Sequence, residues 1–225
     1  PATPTPAPRA LAALLSGEPE QAVTQALVAR ARGISSFKFK IGRPGGLERE
    51  LLAVRALRAE LGPLARLRLD ANQGLSLAEA KQYLPRFASA ELEFIEEPCA
   101  PPELGELREL GLPIALDESL SAGARPALGD RAVILKPTLV GGVSGCVSLA
   151  RAARAIDAQV IFSHAFEGPL GLALSAALAL SIGSETHAHG LDLEGARLEH
   201  VALPGYSDNA IHAWSEAGFG VQEPP

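Results

Sequence analysis

The chain has no methionine, two cysteines, one tryptophan and two tyrosines in 225 residues, and aromatic residues make up only 4% of it. Cys99 and Cys146 lie far apart and form no C-x-x-C pair, which argues against a disulfide framework and a zinc site and suits a reducing, cytoplasmic setting. No cluster of Lys and Arg relieves the net charge of -6, so a phosphate-tracking surface for nucleic acid is not expected and the partner is expected to be small. No run is long and apolar enough to cross a membrane. The longest, "LGLALSAALALSIG" from Leu170 to Gly183, is rich in small residues and reads as a buried helix. The opening "PATPTPAPRA" is too rich in proline for a secretory signal, and a chain without an initiating methionine is expected to be a processed product or a piece of a longer one.

What is present suits one well-buried domain: 47% hydrophobic and 20% charged residues in a chain of this length. Strand-like and helix-like patterns alternate throughout. The strands are read at "RALAALL", "SSFKFKIG", "ARLRLDAN", "LEFIEEPC", "PIALDES", "AVILKPT" and "QVIFSHAF", with an eighth within "THAHGLDLE". Helices are expected between them, including one capped by Ser16 and stopped at Gly33 and a short one near "GARPAL". Strand then helix at steady spacing means parallel strands with crossover helices, and a count near eight favours a closed α/β barrel over an open sheet. The expected fold is a TIM-like (β/α)7β barrel over residues 9–195, preceded by a linker remnant at 1–8. Residues 196–225, with Trp214, are expected to form a tail packing on or near it.

In a barrel, alternation along a strand settles which residues face inward. Phe37, Phe39 and Ile41 must face the helices, which turns Lys38 and Lys40 into the interior. The same phase points Asp70 inward against Leu67 and Leu69, Asp117 against Leu116, and Lys136 against Leu135. Glu96 and Glu97 lie on opposite faces, and periodicity leaves open which one is inside. A lone strand-end Asp is usually a turn or cap former. Here Lys, Asp, Glu, Asp and Lys fall at the carboxyl ends of five consecutive strands, where such barrels build active sites. Three converging carboxylates repel one another unless a cation lies between them, and an all-oxygen ligand set favours magnesium over zinc. Lysines on opposite walls then offer a base and a positive charge. A lysine base needs a depressed pKa, which neighbouring cations would supply.

"FKFKIG", "LRLDANQGLS", "FIEEPC", "ALDESL", "VILKPTLVGG" and "FSHAFEGPLGL", in this order, resemble the barrel domain of the enolase superfamily, and within it most closely the o-succinylbenzoate synthase family of menaquinone biosynthesis. The resemblance runs from about Arg9 to Glu194. It implies a magnesium-dependent hydro-lyase acting on a small-molecule carboxylate, with Asp70, Glu96 and Asp117 as metal ligands. Lys40 would be the base, tuned by Lys38, and Lys136 would face the developing enolate. Asn72, Glu97 and Glu118 would support the site, and Ser163 and His164 would lie in the substrate subsite, His164 as a pocket or packing residue. Lys136-Pro137-Thr138 favours the synthase branch, whereas Asp192-Leu193-Glu194 is similar to the acidic pair of dipeptide epimerases, so epimerase or N-acylamino acid racemase activity is the alternative. Relatives also carry an α+β capping domain that is not evident here, which keeps a cap-less or non-catalytic barrel fragment as a further alternative. Association into a homo-oligomer is left open.

Overall fold

Seven strands that follow one another in sequence also follow one another in space. In the computed structural model, which describes residues 5–194, 196 and 202–215, β2 (Ala12–Leu15), β3 (Ser36–Lys40), β4 (Arg66–Asp70), β5 (Leu92–Glu96), β6 (Ile114–Leu116), β7 (Asp130–Leu135) and β8 (Gln159–Phe162) form one parallel sheet in chain order. The connections are α1 (Pro19–Ala31), α2 (Leu47–Leu61), α3 (Leu77–Ala88), α4 (Leu104–Glu109), α5 (Glu118–Ser121), α6 (Gly142–Arg154) and α7 (Gly168–Ile182).

The helices form where apolar residues recur at helical spacing. In α2, Leu47, Leu51, Val54, Leu57 and Leu61 share the buried face. Ser76 opens α3 with a reciprocal capping box to Glu79. Ser16 does not cap α1: Glu18 takes that place, boxed with Gln21, because Pro19 begins the first turn. The helix expected near "GARPAL" is absent. A single turn forms earlier, at α5, since Gly123 adopts φ 94° and Pro126 lacks the N–H needed to continue.

The first expected strand breaks in two. Arg9 and Ala10 form β1, which pairs antiparallel with β9 (Ala210–Ile211), and only from Ala12 does the chain join the large sheet. Arg9 is buried because its guanidinium donates to the carbonyls of Ala179 at 3.1 Å and Leu180 at 3.0 Å, in the last turn of α7.

The sheet's two edges are joined by His189 and Gly190, which bridge in parallel to Leu11 and Ser163. The backbone bonds Ala12 N–H to His189 O and Gly190 N–H to Phe162 O, at 2.8 and 2.9 Å, make the seam. Glycine suits the close approach there, since a Cβ on Gly190 would lie 2.8 Å from Ser163 Oγ. The eighth strand of the (β/α)7β barrel is thus two residues long.

Burial follows the expected phase. Phe37, Phe39, Leu67, Leu69, Leu116 and Leu135 belong to the large core between sheet and helices. Phe94, Ala115, Ala132, Ile134 and Ile161 form a second, smaller cluster inside the barrel. β5 carries a one-residue bulge: Leu67 pairs with Leu92, but Arg68 pairs with Phe94, so Glu93 is the extra residue. Among the described residues no helix is long and apolar enough to cross a membrane.

Candidate active site

The carboxyl ends of the strands surround a cavity lined by Lys38, Lys40, Asp70, Asn72, Glu96, Lys136, Ser163 and His164. Of the residues expected at the site, these eight come together. Asp117 reaches the group through an ion pair with Lys136, and Glu118 through Asn72, while Glu97 sits behind Asp117.

β3 delivers both lysines, but to different settings. Lys38 is 17% exposed and its ammonium lies 3.0 Å from both Asp70 Oδ2 and Glu96 Oε1. Burial alone would push its pKa down, yet the Glu96 and Asp70 carboxylates outweigh this and raise it, so Lys38 stays charged. Lys40 is 43% exposed and donates to the neutral amide oxygen of Asn72 at 2.6 Å, with Asp70 Oδ2 at 3.5 Å. Glu50, fully buried on α2, fixes the chain just beyond Lys40 by accepting from Gly42 N–H at 2.8 Å and Arg43 N–H at 3.1 Å.

Asp70, Glu96 and Asp117 end or follow β4, β5 and β6, and all three are buried. Burial opposes ionisation of Asp70, but Lys38 and Lys40 hold its carboxyl below the usual range. Glu96 goes the other way: burial raises it, Lys38 opposes this, and repulsion from Asp70 and Asp117 helps drive it to about 8. Three acids that crowd and repel one another form the all-oxygen donor set that suits a hard divalent cation. As placed, each acid leans on a lysine, and among the described residues no three are spaced as a finished cation cage. The donor chemistry fits a metal, with Lys38 the group that would give way.

Strain collects at this end of the barrel. Of the six non-glycine residues with positive φ among those described, Asn72, Gln73, Glu97 and Phe166 lie just beyond strand ends at the site. Each turns a side chain that regular strand geometry would aim elsewhere. Asn72 at φ 44° accepts from Lys40 and donates to Glu118 Oε1 at 2.9 Å. Glu97 at φ 38° accepts from Asp117 N–H at 2.8 Å, Ser119 N–H at 2.9 Å and Ser119 Oγ at 2.9 Å, which staples the turn that carries Asp117. Glu118 is raised by burial and then by Asp117.

Ser163 donates to Gly190 O at 3.2 Å, so its hydroxyl belongs to the seam as well as to the cavity wall. His164 has a buried Nδ1 with no partner, and burial lowers its pKa to about 4, which keeps it neutral. Sequence reasoning missed Arg68, although the phase that turns Asp70 inward turns Arg68 inward too. Its guanidinium lies beneath the acids, 2.5 Å from Glu93 Oε2 and 4.7 Å above the centre of the Phe94 ring. It also missed Phe166, which lines the same cavity. Asp192 and Glu194, just beyond the eighth strand, are both bound by Arg32, at 2.5 and 2.8 Å.

Residues 21–223 match the family model described as "Enolase C-terminal domain-like". The o-succinylbenzoate synthase of Aliivibrio fischeri is 34% identical over 177 residues, 75% of this chain and 53% of that protein. The o-succinylbenzoate synthase of Mycobacterium tuberculosis is 36% identical over 187 residues, 79% of this chain and 56% of that protein. The chain therefore spans about half the length of the curated relatives it matches. Among solved structures, MenC from Desulfotalea psychrophila superposes with a TM-score of 0.71 at 27% identity, covering 82% of this chain and 54% of that one. Muconate cycloisomerase from Pseudomonas fluorescens gives 0.81 at 24% identity, covering 96% and 63%, a likeness of fold alone. A parallel barrel with lysines and acids at its strand ends, a family model matched over most of the chain and relatives above 30% identity together make this chain a member of the enolase C-terminal domain-like family.

Proposed function

We propose that this barrel carries the chemistry of an o-succinylbenzoate synthase: the syn dehydration of 2-succinyl-6-hydroxy-2,4-cyclohexadiene-1-carboxylate to o-succinylbenzoate in menaquinone biosynthesis. The observation that supports it most is the pair of lysines, Lys40 and Lys136, lining one cavity from β3 and β7 with Asp70 and Glu96 on the wall between them. The curated relatives bearing that name support the same reading.

Lys40 in its amine form takes the proton from the carbon next to the substrate carboxylate. It is the better placed of the β3 pair, because Lys38 lies 3.0 Å from each of two carboxylates, while Lys40, held by the Asn72 amide with Asp70 at 3.5 Å, is the more open to the cavity. The electron pair of the broken C–H bond moves into the carboxylate as an enolate, which the Lys136 ammonium faces from the other wall. Lys40 then gives its proton to the hydroxyl that departs as water from the same face, and the ring becomes aromatic. Asp70, Glu96 and Asp117 would hold magnesium, which when bound supplies positive charge to the substrate carboxylate. Asn72 orients Lys40, and Glu97 positions Asp117.

Epimerase activity on a dipeptide is the weaker reading, since Arg32 already neutralises the strand-8 carboxylates that would meet a substrate ammonium. The test is loss of the cyclohexadiene absorbance with magnesium and then with EDTA, for wild type, Lys40→Ala and Lys136→Ala. Metal-dependent loss that both variants abolish while still folded supports the assignment. Turnover retained in Lys40→Ala removes it as the base, and folded, metal-binding wild type that leaves the diene intact overturns the synthase reading.

A further inference from the structure

Phe166 occupies a conformation that a bulky side chain adopts only under constraint, φ 59°, and the residue is 63% exposed while lining the cavity. The loop that holds it is built. Glu167 folds back so that its carboxylate accepts from Ala165 N–H and, at 3.3 Å, from Ser175 Oγ in α7, while Gly168 follows at φ 77°. Those bonds fix the residues on both sides of Phe166 and hold its backbone in the left-handed region. The ring stands edge-on to His164, with centroids 4.8 Å apart and planes at 74°. His164 in turn is half-buried, with its Nδ1 buried and without a hydrogen-bond partner. Lysines and acids from β3, β4, β5 and β7 make the cavity's charged wall, and Leu14, Ile161 and Phe166, beside Ser163 and Asp192, line the rest.

Strain retained at a site, spent on exposing an aromatic ring beside charged chemistry, calls for a ligand that uses the ring. We propose that Phe166, backed by His164, is a specificity-determining residue that forms an aromatic wall against the flat unsaturated ring of a carboxylate substrate. This rests on the function proposed above and names the part of the substrate that the charged wall does not read. Planar rings gain from offset or edge-on contact with Phe, whereas a saturated ring of the same charge offers only apolar area.

Calorimetric titration in magnesium with two dianions tests this: o-succinylbenzoate, and its ring-saturated analogue 2-succinylcyclohexane-1-carboxylate. Wild type should prefer the aromatic ligand. Phe166→Gly and Phe166→Ala should each weaken o-succinylbenzoate by about tenfold and the saturated analogue, which loses apolar contact alone, by several-fold less, shrinking the preference. Phe166→Tyr should keep it. Phe166→Gly should also melt at or above the wild-type temperature, because glycine adopts φ 59° without strain. Unchanged o-succinylbenzoate affinity in the Gly and Ala variants, or equal weakening of both ligands, overturns the aromatic wall while leaving the synthase reading intact. Wild type that binds neither ligand overturns both.

Discussion

Acid should open this barrel at its seam, and His189 sets how readily. The imidazole is fully buried, its Nδ1 accepts from Phe162 N–H at 2.9 Å, and its Nε2 lies 3.1 Å from Ser184 O. A ring that accepts at Nδ1 and donates at Nε2 has no room for a second proton. Burial first, then the charges of Arg68, Arg9 and His187, push its pKa down to about 3 against the pull of the Ser184 carbonyl. The unfolded chain binds a proton near its ordinary value of 6.5 that the folded chain refuses. The contribution of neutral His189 is therefore complete above about pH 6.5 and is lost as pH falls toward 3. Linkage gives about 2 kcal/mol lost by about pH 5 and about 5 kcal/mol below pH 3, a large share of the 5–15 kcal/mol typical of a domain. His164 and His187 add slopes of the same sign, and Glu96, raised to about 8, adds the opposite one. The comparison with His189→Asn isolates the term, since Asn keeps an acceptor for Phe162 N–H and cannot take up the proton. Urea unfolding from about pH 8 to about pH 5 should show the variant losing about 2 kcal/mol less than wild type. Parallel curves for the two proteins would refute the reasoning.

Two further expectations concern charged groups that support the site. Glu97→Gln turns an amide toward N–H donors that a carboxylate satisfied, so it should lower stability by about 2 kcal/mol and reduce magnesium affinity less than Asp117→Asn does. Calorimetry that ranks the two the other way removes Asp117 from the ligand set. Glu93→Leu strands the buried Arg68 guanidinium and should cost about 3–5 kcal/mol, most of which Arg68→Met in the same chain should return. A double-mutant cycle showing simple additivity would show that the pair is not coupled.

The inward lysines and acids were legible because alternation along β3, β4 and β7 is unbroken: Phe37 and Phe39 outside force Lys38 inside, and Leu135 outside forces Lys136 in. Where alternation fails, reading fails with it. The bulge at Glu93 and the positive φ of Glu97 bracket the stretch "EFIEE", which is why periodicity alone could not choose between Glu96 and Glu97. The eighth strand spans two residues, too few to show a period, and the break at Leu11 depends on a partner two hundred residues away at Ile211. Phe166 had no local signal, since its position is dictated by Glu167 reaching Ser175 across two helical turns.

The bulge in β5 carries a consequence for how this strand tolerates change in length. Leu92 packs outward on the large core, Phe94 inward, and Ile95 and Glu96 alternate from there. Glu93 is the residue without a partner at the point where the faces switch, so removing it would rejoin Leu92 to Phe94 with every remaining side chain on its present face. A single-residue deletion, which elsewhere in a barrel strand turns everything beyond it inside out, would here keep every remaining side chain on its face and be felt in charge, at Arg68, Arg66 and His187.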